Sequence, residues 1–162
     1  MPAYIALGSN LGDSVANIKQ AFTELEHCSA STIQKSSLWR STPVDCPEGS
    51  PDFINAVVAI ELLENEMPES LLIKLQQLEI QFGRQPKVEL NEPRLLDLDI
   101  IAFGEETRNT PQLTIPHPCW HERRFVLEPL NEIAAEIVLP GQSKSVSELV
   151  SELETDETLI RL

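Results

Sequence analysis

Asp97 and Asp99 stand two apart in the run Pro93-Arg94-Leu95-Leu96-Asp97-Leu98-Asp99-Ile100-Ile101. The apolar residues around them have the character of a buried strand. On a strand, residues two apart share a face and lie roughly 6–7 Å apart along the chain. The two aspartates therefore project from one side, and Leu96, Leu98 and Ile100 from the other. Neighbouring carboxylates repel unless a cation lies between them. A hard divalent ion such as magnesium, held by one or two carboxylates and completed by phosphate oxygens, meets that need. The plain competitor is a solvated strand face, because an isolated Asp-x-Asp recurs by chance.

Other residues offer less. Gly8-Ser9-Asn10-Leu11-Gly12 joins a strand to a helix but lacks the lysine of a phosphate loop and the glycine spacing of a dinucleotide site. It serves as a turn, or as the lining of a pocket. Cys119-Trp120-His121 has no second ligand pair at zinc-like spacing. His117 lies between Pro116 and Pro118, whose rings restrict the backbone and aim the imidazole; a rigid turn is the competing role.

The 162 residues suit one domain, expected over residues 1–162, and the chain is 41% hydrophobic and 23% charged. No apolar run is long enough to span a bilayer, and the first residues enter a strand without a basic segment, so neither membrane nor export signal is expected. Three scattered cysteines fit a reducing cytoplasm. A net charge of -14 disfavours nucleic acid and anionic lipid as partners. It also opposes a polyphosphate unless cations are concentrated. Arg84, Lys87, Arg94, Arg108, Arg123 and Arg124 make up half of the 12 basic residues and occupy one segment.

These groups need elements to position them. Residues 3–7 form a strand, and a helix follows with Asp13 as its cap and Val15, Ile18, Phe22 and Leu25 on one face. Strands are expected at 33–39 and 53–62, around a Pro, Gly and Ser-rich loop at 41–51. A helix spans 68–82, with Pro68 in its first turn, Leu71, Leu72, Leu75, Leu78 and Phe82 in its core stripe and Gly83 at its end. The aspartate strand covers 96–103. A Pro-rich loop at 114–118, a helix at 124–133 and a last helix around Val146, Leu149, Val150 and Leu153 complete the chain. The order βαββαβ is that of a ferredoxin-like α+β fold: an antiparallel sheet with both helices on one face, and C-terminal additions.

Strand parity then groups residues. Ile54, Ala56, Val58 and Ile60 suit the helix side, which sends Phe53 and Asn55 to the open side with Asp97 and Asp99. A ring, a carboxamide and two carboxylates on one surface suit a flat heteroaromatic ligand beside a metal site. Parity equally admits Phe53 as a core residue beneath the C-terminal part of the chain.

Several stretches together resemble one family, 6-hydroxymethyl-7,8-dihydropterin pyrophosphokinase of folate biosynthesis. They are the segment from Ala3 to Gly12, Thr42-Pro43, Pro51-Asp52-Phe53-Ile54-Asn55, Gln76 through Glu79 to Arg84, Pro93-Arg94 through Ile100, Leu113-Thr114-Ile115-Pro116-His117-Pro118, and Arg123 through Leu130. The resemblance implies a ferredoxin-like fold and transfer of pyrophosphate from ATP to the pterin hydroxymethyl group. It implies two magnesium ions on Asp97 and Asp99, with Arg84 and Arg94 sharing the catalytic work. Gly8, Thr42, Pro43, Phe53, Asn55 and Phe125 would hold the pterin, with Phe53 and Phe125 on its two sides. Gln76, Glu79, Arg84, Arg94, Ile100, Thr114, His117 and Arg123 would hold ATP. A cytoplasmic monomer with small-molecule partners is expected.

The chain departs from the family pattern at Leu90-Asn91-Glu92, at Pro86 and at Leu95, where a basic-aromatic-glycine run, an arginine and a threonine are usual. These positions belong to the loop expected to close over substrates, and closing loops exclude water and complete a site. A pterin- or nucleotide-binding protein without turnover is therefore the competing reading.

Overall fold

The computed structural model describes residues 2–42, 49–83, 94–155 and 157–162. The expected elements form where apolar periodicity and end signals agree. Strand β1 is Pro2–Ser9, and α1 follows at Ser14–Glu26. Asp13 caps α1 by accepting the Ala16 N–H at 3.2 Å. Helix α2 covers Pro68–Gln81, with proline in its first turn and Gly83 beyond it at φ 92°.

The strand expected at 33–39 is two short ones, β2 at Gln34–Lys35 and β3 at Trp39–Ser41. Side chains interrupt it. The Ser36 hydroxyl accepts the Val57 N–H at 2.9 Å, and the Ser37 N–H and hydroxyl both donate to Glu132, at 3.1 and 2.7 Å. Strand β4 is Phe53–Glu61 and β5 is Asp97–Phe103. The Pro-rich stretch is not all loop. Arg108–Asn109 (β6) and Thr114–Ile115 (β7) pair as a small hairpin, which Arg108 ties to α2 through Glu69 at 2.8 Å. Helix α3 is Arg124–Ala134 and α4 is Val146–Glu152. Residues 159–161 add an unexpected strand, β8 at Leu159–Arg161, which pairs with β3.

The main sheet runs β5-β1-β4-β3-β8, every neighbouring pair antiparallel, and β2 also pairs with β4. One face packs on α1 and α2. Ile5, Ile54, Ala56, Val58, Leu98 and Ile100 meet Ile18, Leu25, Leu71 and Leu75 there, as parity requires.

The opposite face is not open along its length. Val57, Ile101 and Ala102 lie under Val126, Leu127 and Leu130 of α3 and Val146 of α4, forming a second core. The fold is thus a mixed α/β arrangement: α1 and α2 share one face of an antiparallel sheet as expected, and the C-terminal helices cover much of the other face, which corrects the expectation that it stays open. An apolar α3 stripe needs burial, and the unused face of the sheet is the apolar surface in reach. The second core stops short of the Gly8 end of β1, and there the sheet surface lines a cleft. Among the described residues, no helix is long and apolar enough to cross a membrane.

Candidate active site

Three strands form the floor of the cleft. Gly8 of β1 lies opposite Asp97 of β5 on one side and Asn55 of β4 on the other, and Ala6 stands in the same way between Asp99 and Val57. Asp97, Gly8 and Asn55 therefore form one row across the sheet. Small residues between the acids and the amide keep the floor low. A β-carbon on Gly8 would lie 3.5 Å from the Phe53 ring and 3.7 Å from Asn55 Oδ1.

Asn55 is 4% exposed, and its orientation is set from below. Its Nδ2 donates to Ser41 Oγ at 2.7 Å and to the Trp39 carbonyl at 3.4 Å. The carbonyl end, Oδ1, is left on the Gly8 side as an acceptor for a ligand donor.

Among the described residues β5 is the sheet edge, so the cleft wraps over it to α2. An edge strand's outward N–H needs a partner. For Leu98, between the two aspartates, that partner is the buried carboxylate of Glu79, whose Oε2 accepts it at 2.9 Å. Glu79 thereby fixes the peptide that spaces Asp97 from Asp99. Arg94 approaches from the same side, its Nη1 3.2 Å from Asp97 Oδ1.

A register shift between Tyr4 and Ile5 in the β1–β5 pairing marks a bulge, which sends both Ile101 and Ala102 to the second core. The Ile101 carbonyl accepts the His117 N–H at 2.9 Å and so docks the His117 turn on the sheet edge. His117 Nδ1 accepts the Cys119 N–H at 3.2 Å. The imidazole is then the tautomer with its proton on Nε2. Burial, and then the Arg123 guanidinium, push its pKa below the ordinary 6.5, with Asp97 pulling the other way. Arg123 itself lies over the Phe125 ring, 5.6 Å from its centroid.

The cleft holds about 1050 Å³. Twelve of the residues expected in the site line it: Gly8, Thr42, Phe53, Asn55, Gln76, Glu79, Arg94, Asp97, Asp99, His117, Arg123 and Phe125. Phe53 is half-buried at its wall, which decides between its two possible positions. Two expected residues are not in the lining. Ile100 is 4% exposed with its side chain in the α1/α2 core, where strand alternation sends it. Thr114 is held in the β6–β7 hairpin opposite Asn109. Pro43, Arg84, Pro86 and Leu90-Asn91-Glu92 lie outside the described residues. Ser41, Gln112, Thr155 and Glu157 line the cleft without having been singled out by sequence. Serine beside Thr42 was the one available signal; the others depend on pairings of distant segments.

The donor set can be tested against a metal. Among the described residues, no group of three or more His, Cys, Asp or Glu side chains could hold an ion alone. Two carboxylates on one strand face, both in the cleft, leave most coordination positions to a bound ligand's oxygens. That is the habit of magnesium with phosphates and does not suit zinc.

The profile of a family described as 7,8-dihydro-6-hydroxymethylpterin-pyrophosphokinase (HPPK) matches residues 4–135. The 2-amino-4-hydroxy-6-hydroxymethyldihydropteridine pyrophosphokinase of Haemophilus influenzae is 40% identical over 161 residues, covering 99% of this chain and 97% of that protein. The protein of the same name from Bacillus subtilis is 42% identical over 136 residues, 83% of this chain and 79% of that protein. Among solved structures, Plasmodium falciparum HPPK-DHPS A437G superposes with a TM-score of 0.74 at 16% identity, a likeness of fold. It covers 93% of this chain, which spans 45% of that longer one.

Proposed function

The chain belongs to the 7,8-dihydro-6-hydroxymethylpterin pyrophosphokinase family, and from that premise we propose that it transfers pyrophosphate from ATP to the hydroxymethyl group of 6-hydroxymethyl-7,8-dihydropterin, releasing AMP, in folate synthesis. The observation that carries this reading is the row Asp97, Gly8, Asn55. Adjacent strands are about 4.8 Å apart, so the amide and the first carboxylate are separated by roughly 10 Å across a floor with no side chain. A two-ring heterocycle held at Asn55 extends its one-carbon arm over Gly8 towards Asp97.

Each end of the row has its task. Asn55 Oδ1 accepts a hydrogen bond from the polar edge of the pterin, and Phe53 and Phe125 offer ring faces from β4 and α3. Thr42 closes that end. At the other end Arg94 and Arg123 bring fixed positive charge to the triphosphate, and His117 offers a neutral Nε2–H. Gln76 and Glu79, on α2, border the nucleotide side. Bound to Asp97 and Asp99, two magnesium ions would supply neutralisation of phosphate charge and a lowered pKa for the alcohol. The hydroxymethyl oxygen gives up its proton to solvent and forms a bond to the β-phosphorus, the bridge between the α- and β-phosphates breaks on its β side, and AMP leaves carrying the bridging oxygen. Rate enhancement comes from alignment and electrostatics.

The reading extends to the architecture. The order β5-β1-β4-β3 with antiparallel neighbours supports a ferredoxin-like topology. Two cores sharing one sheet support a single domain over residues 1–162. A cytoplasmic monomer using free pterin and ATP, with neither nucleic acid nor membrane, is proposed.

The test supplies ATP, magnesium and the reduced hydroxymethylpterin and measures AMP. AMP release that requires pterin is expected. Tight pterin and ATP binding with no AMP would replace the enzyme by a binding protein.

A further inference from the structure

The chain beyond residue 135 lies past the stretch that the family profile matches, yet it returns to the cleft, where Thr155 and Glu157 form part of the lining. Two attachments bring them there. Strand β8 pairs with β3 in the register Ser41↔Leu159, and the Thr42 N–H donates to the Thr158 carbonyl at 3.4 Å. Ser41 and Thr42 are cleft residues themselves. On the opposite wall, Glu157 Oε2 accepts the Arg124 N–H at 2.8 Å.

That second bond fills a local deficit. The first N–H groups of a helix have no partner within it. Arg123, the residue at the N-cap of α3, makes no side-chain cap. A carboxylate from a distant segment supplies it, and its charge suits the positive end of the helix dipole. Thr155 steadies the carboxylate: its Oγ1 accepts the Glu157 N–H at 3.2 Å and lies 3.4 Å from Glu157 Oε2. Arg123 and Phe125 flank the capped residue, and both line the cleft.

We propose that Glu157 is a positioning residue that sets the width of the pterin end of the cleft. It ties the α3 turn bearing Phe125 to the end of β3 bearing Thr42, so that the ring slot is held open at one spacing before ligand arrives. This rests on the pterin reading above. A wall fixed in advance saves the ordering cost of binding. On the nucleotide side, Gln76 and Glu79 of α2, Arg94 and the His117 turn are not reached by these bonds, and Arg123 alone stands beside the capped residue.

The experiment measures pterin affinity by fluorescence, with magnesium and a non-hydrolysable ATP analogue present, and the affinity of that analogue separately. For Glu157→Ala, pterin binding weakens roughly tenfold, the scale of one hydrogen bond to a charged group, while analogue affinity, for which Arg123 beside the cap is one of several contacts, falls by no more than about threefold. Glu157→Gln keeps an acceptor oxygen and stays within about threefold of wild type in pterin affinity. Thr155→Ala, which leaves α3 capped but its cap less held, weakens pterin about threefold and serves if Glu157→Ala fails to fold. Unchanged pterin affinity in a folded Glu157→Ala protein overturns the proposal. So does an equal loss for both ligands, or a Glu157→Gln protein as impaired as the alanine variant. Pterin-dependent AMP release by the wild-type protein is recorded alongside. Its absence refutes the reaction, whereas the pattern of pterin affinities judges Glu157.

Discussion

Asn10 and Arg94 clasp each other through the backbone: the Asn10 N–H donates to the Arg94 carbonyl at 3.0 Å, and the Arg94 N–H donates to Asn10 Oδ1 at 2.8 Å. Asn10 is 1% exposed, and its Nδ2 reaches the Pro51 carbonyl at 3.5 Å. One buried amide thus joins the turn after β1, the approach to Phe53 and the arginine that meets Asp97. Asn10→Ala should lower turnover by about tenfold to a hundredfold, since small misplacements of a phosphate-binding group are costly. If the effect passes through Arg94, combining it with Arg94→Ala adds little to the loss of Arg94 alone. Full additivity in that double-mutant cycle would contradict the linkage.

The paired carboxylates predict a separation of binding from chemistry. Asp97→Ala or Asp99→Ala should cut AMP release by roughly a hundredfold or more, because charge neutralisation at the phosphates is lost. Pterin affinity, set by Asn55 and the aromatic walls, should change little. Chelation of divalent ions should reproduce the rate loss in the wild-type protein, and readded magnesium should restore it. Turnover near wild type in either variant would refute the role of the pair.

Gly8 predicts that binding can be damaged without harm to folding. An added methyl group would sit at ordinary contact distance from Phe53 and Asn55, so the empty protein accepts it. Alanine in place of glycine also restricts the unfolded chain, worth about 0.4–1 kcal/mol in favour of the fold. The same methyl occupies the floor over which the pterin lies. Gly8→Ala should therefore keep or raise the melting temperature and weaken pterin binding about tenfold, as overpacking of a fitted site does. An unaltered pterin affinity would show that the ligand does not cross Gly8.

His117 predicts a slope of stability with pH. Its folded pKa is below the ordinary 6.5 through burial and the Arg123 charge. Between the two values the unfolded chain binds more protons than the folded one, so stability rises with pH through that window and is lost as pH falls towards the folded pKa. Urea midpoints measured from about pH 7.5 down to about pH 5 should fall in the wild-type protein and fall less in His117→Gln. Identical slopes would place the imidazole outside the buried, positively charged setting described.

Local chemistry left a clear trace in the amino-acid order. Asp13 announced its cap, Pro68 and Gly83 bracketed α2, and alternation placed Asp97, Asp99 and Asn55 on one face, because a strand's period of two is dictated by its own backbone. Twelve of the residues carried over by resemblance line one cleft; which face each takes within its element is local, but their meeting is the work of the tertiary fold. What covers the far face of the sheet was not legible there. Contact between α3 and the sheet, the break that Glu132 imposes near Ser37, and the return of Glu157 to cap α3 join segments far apart in the chain. No periodicity records such meetings. Each depends on how much apolar surface and how many unpartnered backbone groups remain after the first core has formed, and only three-dimensional packing resolves that competition.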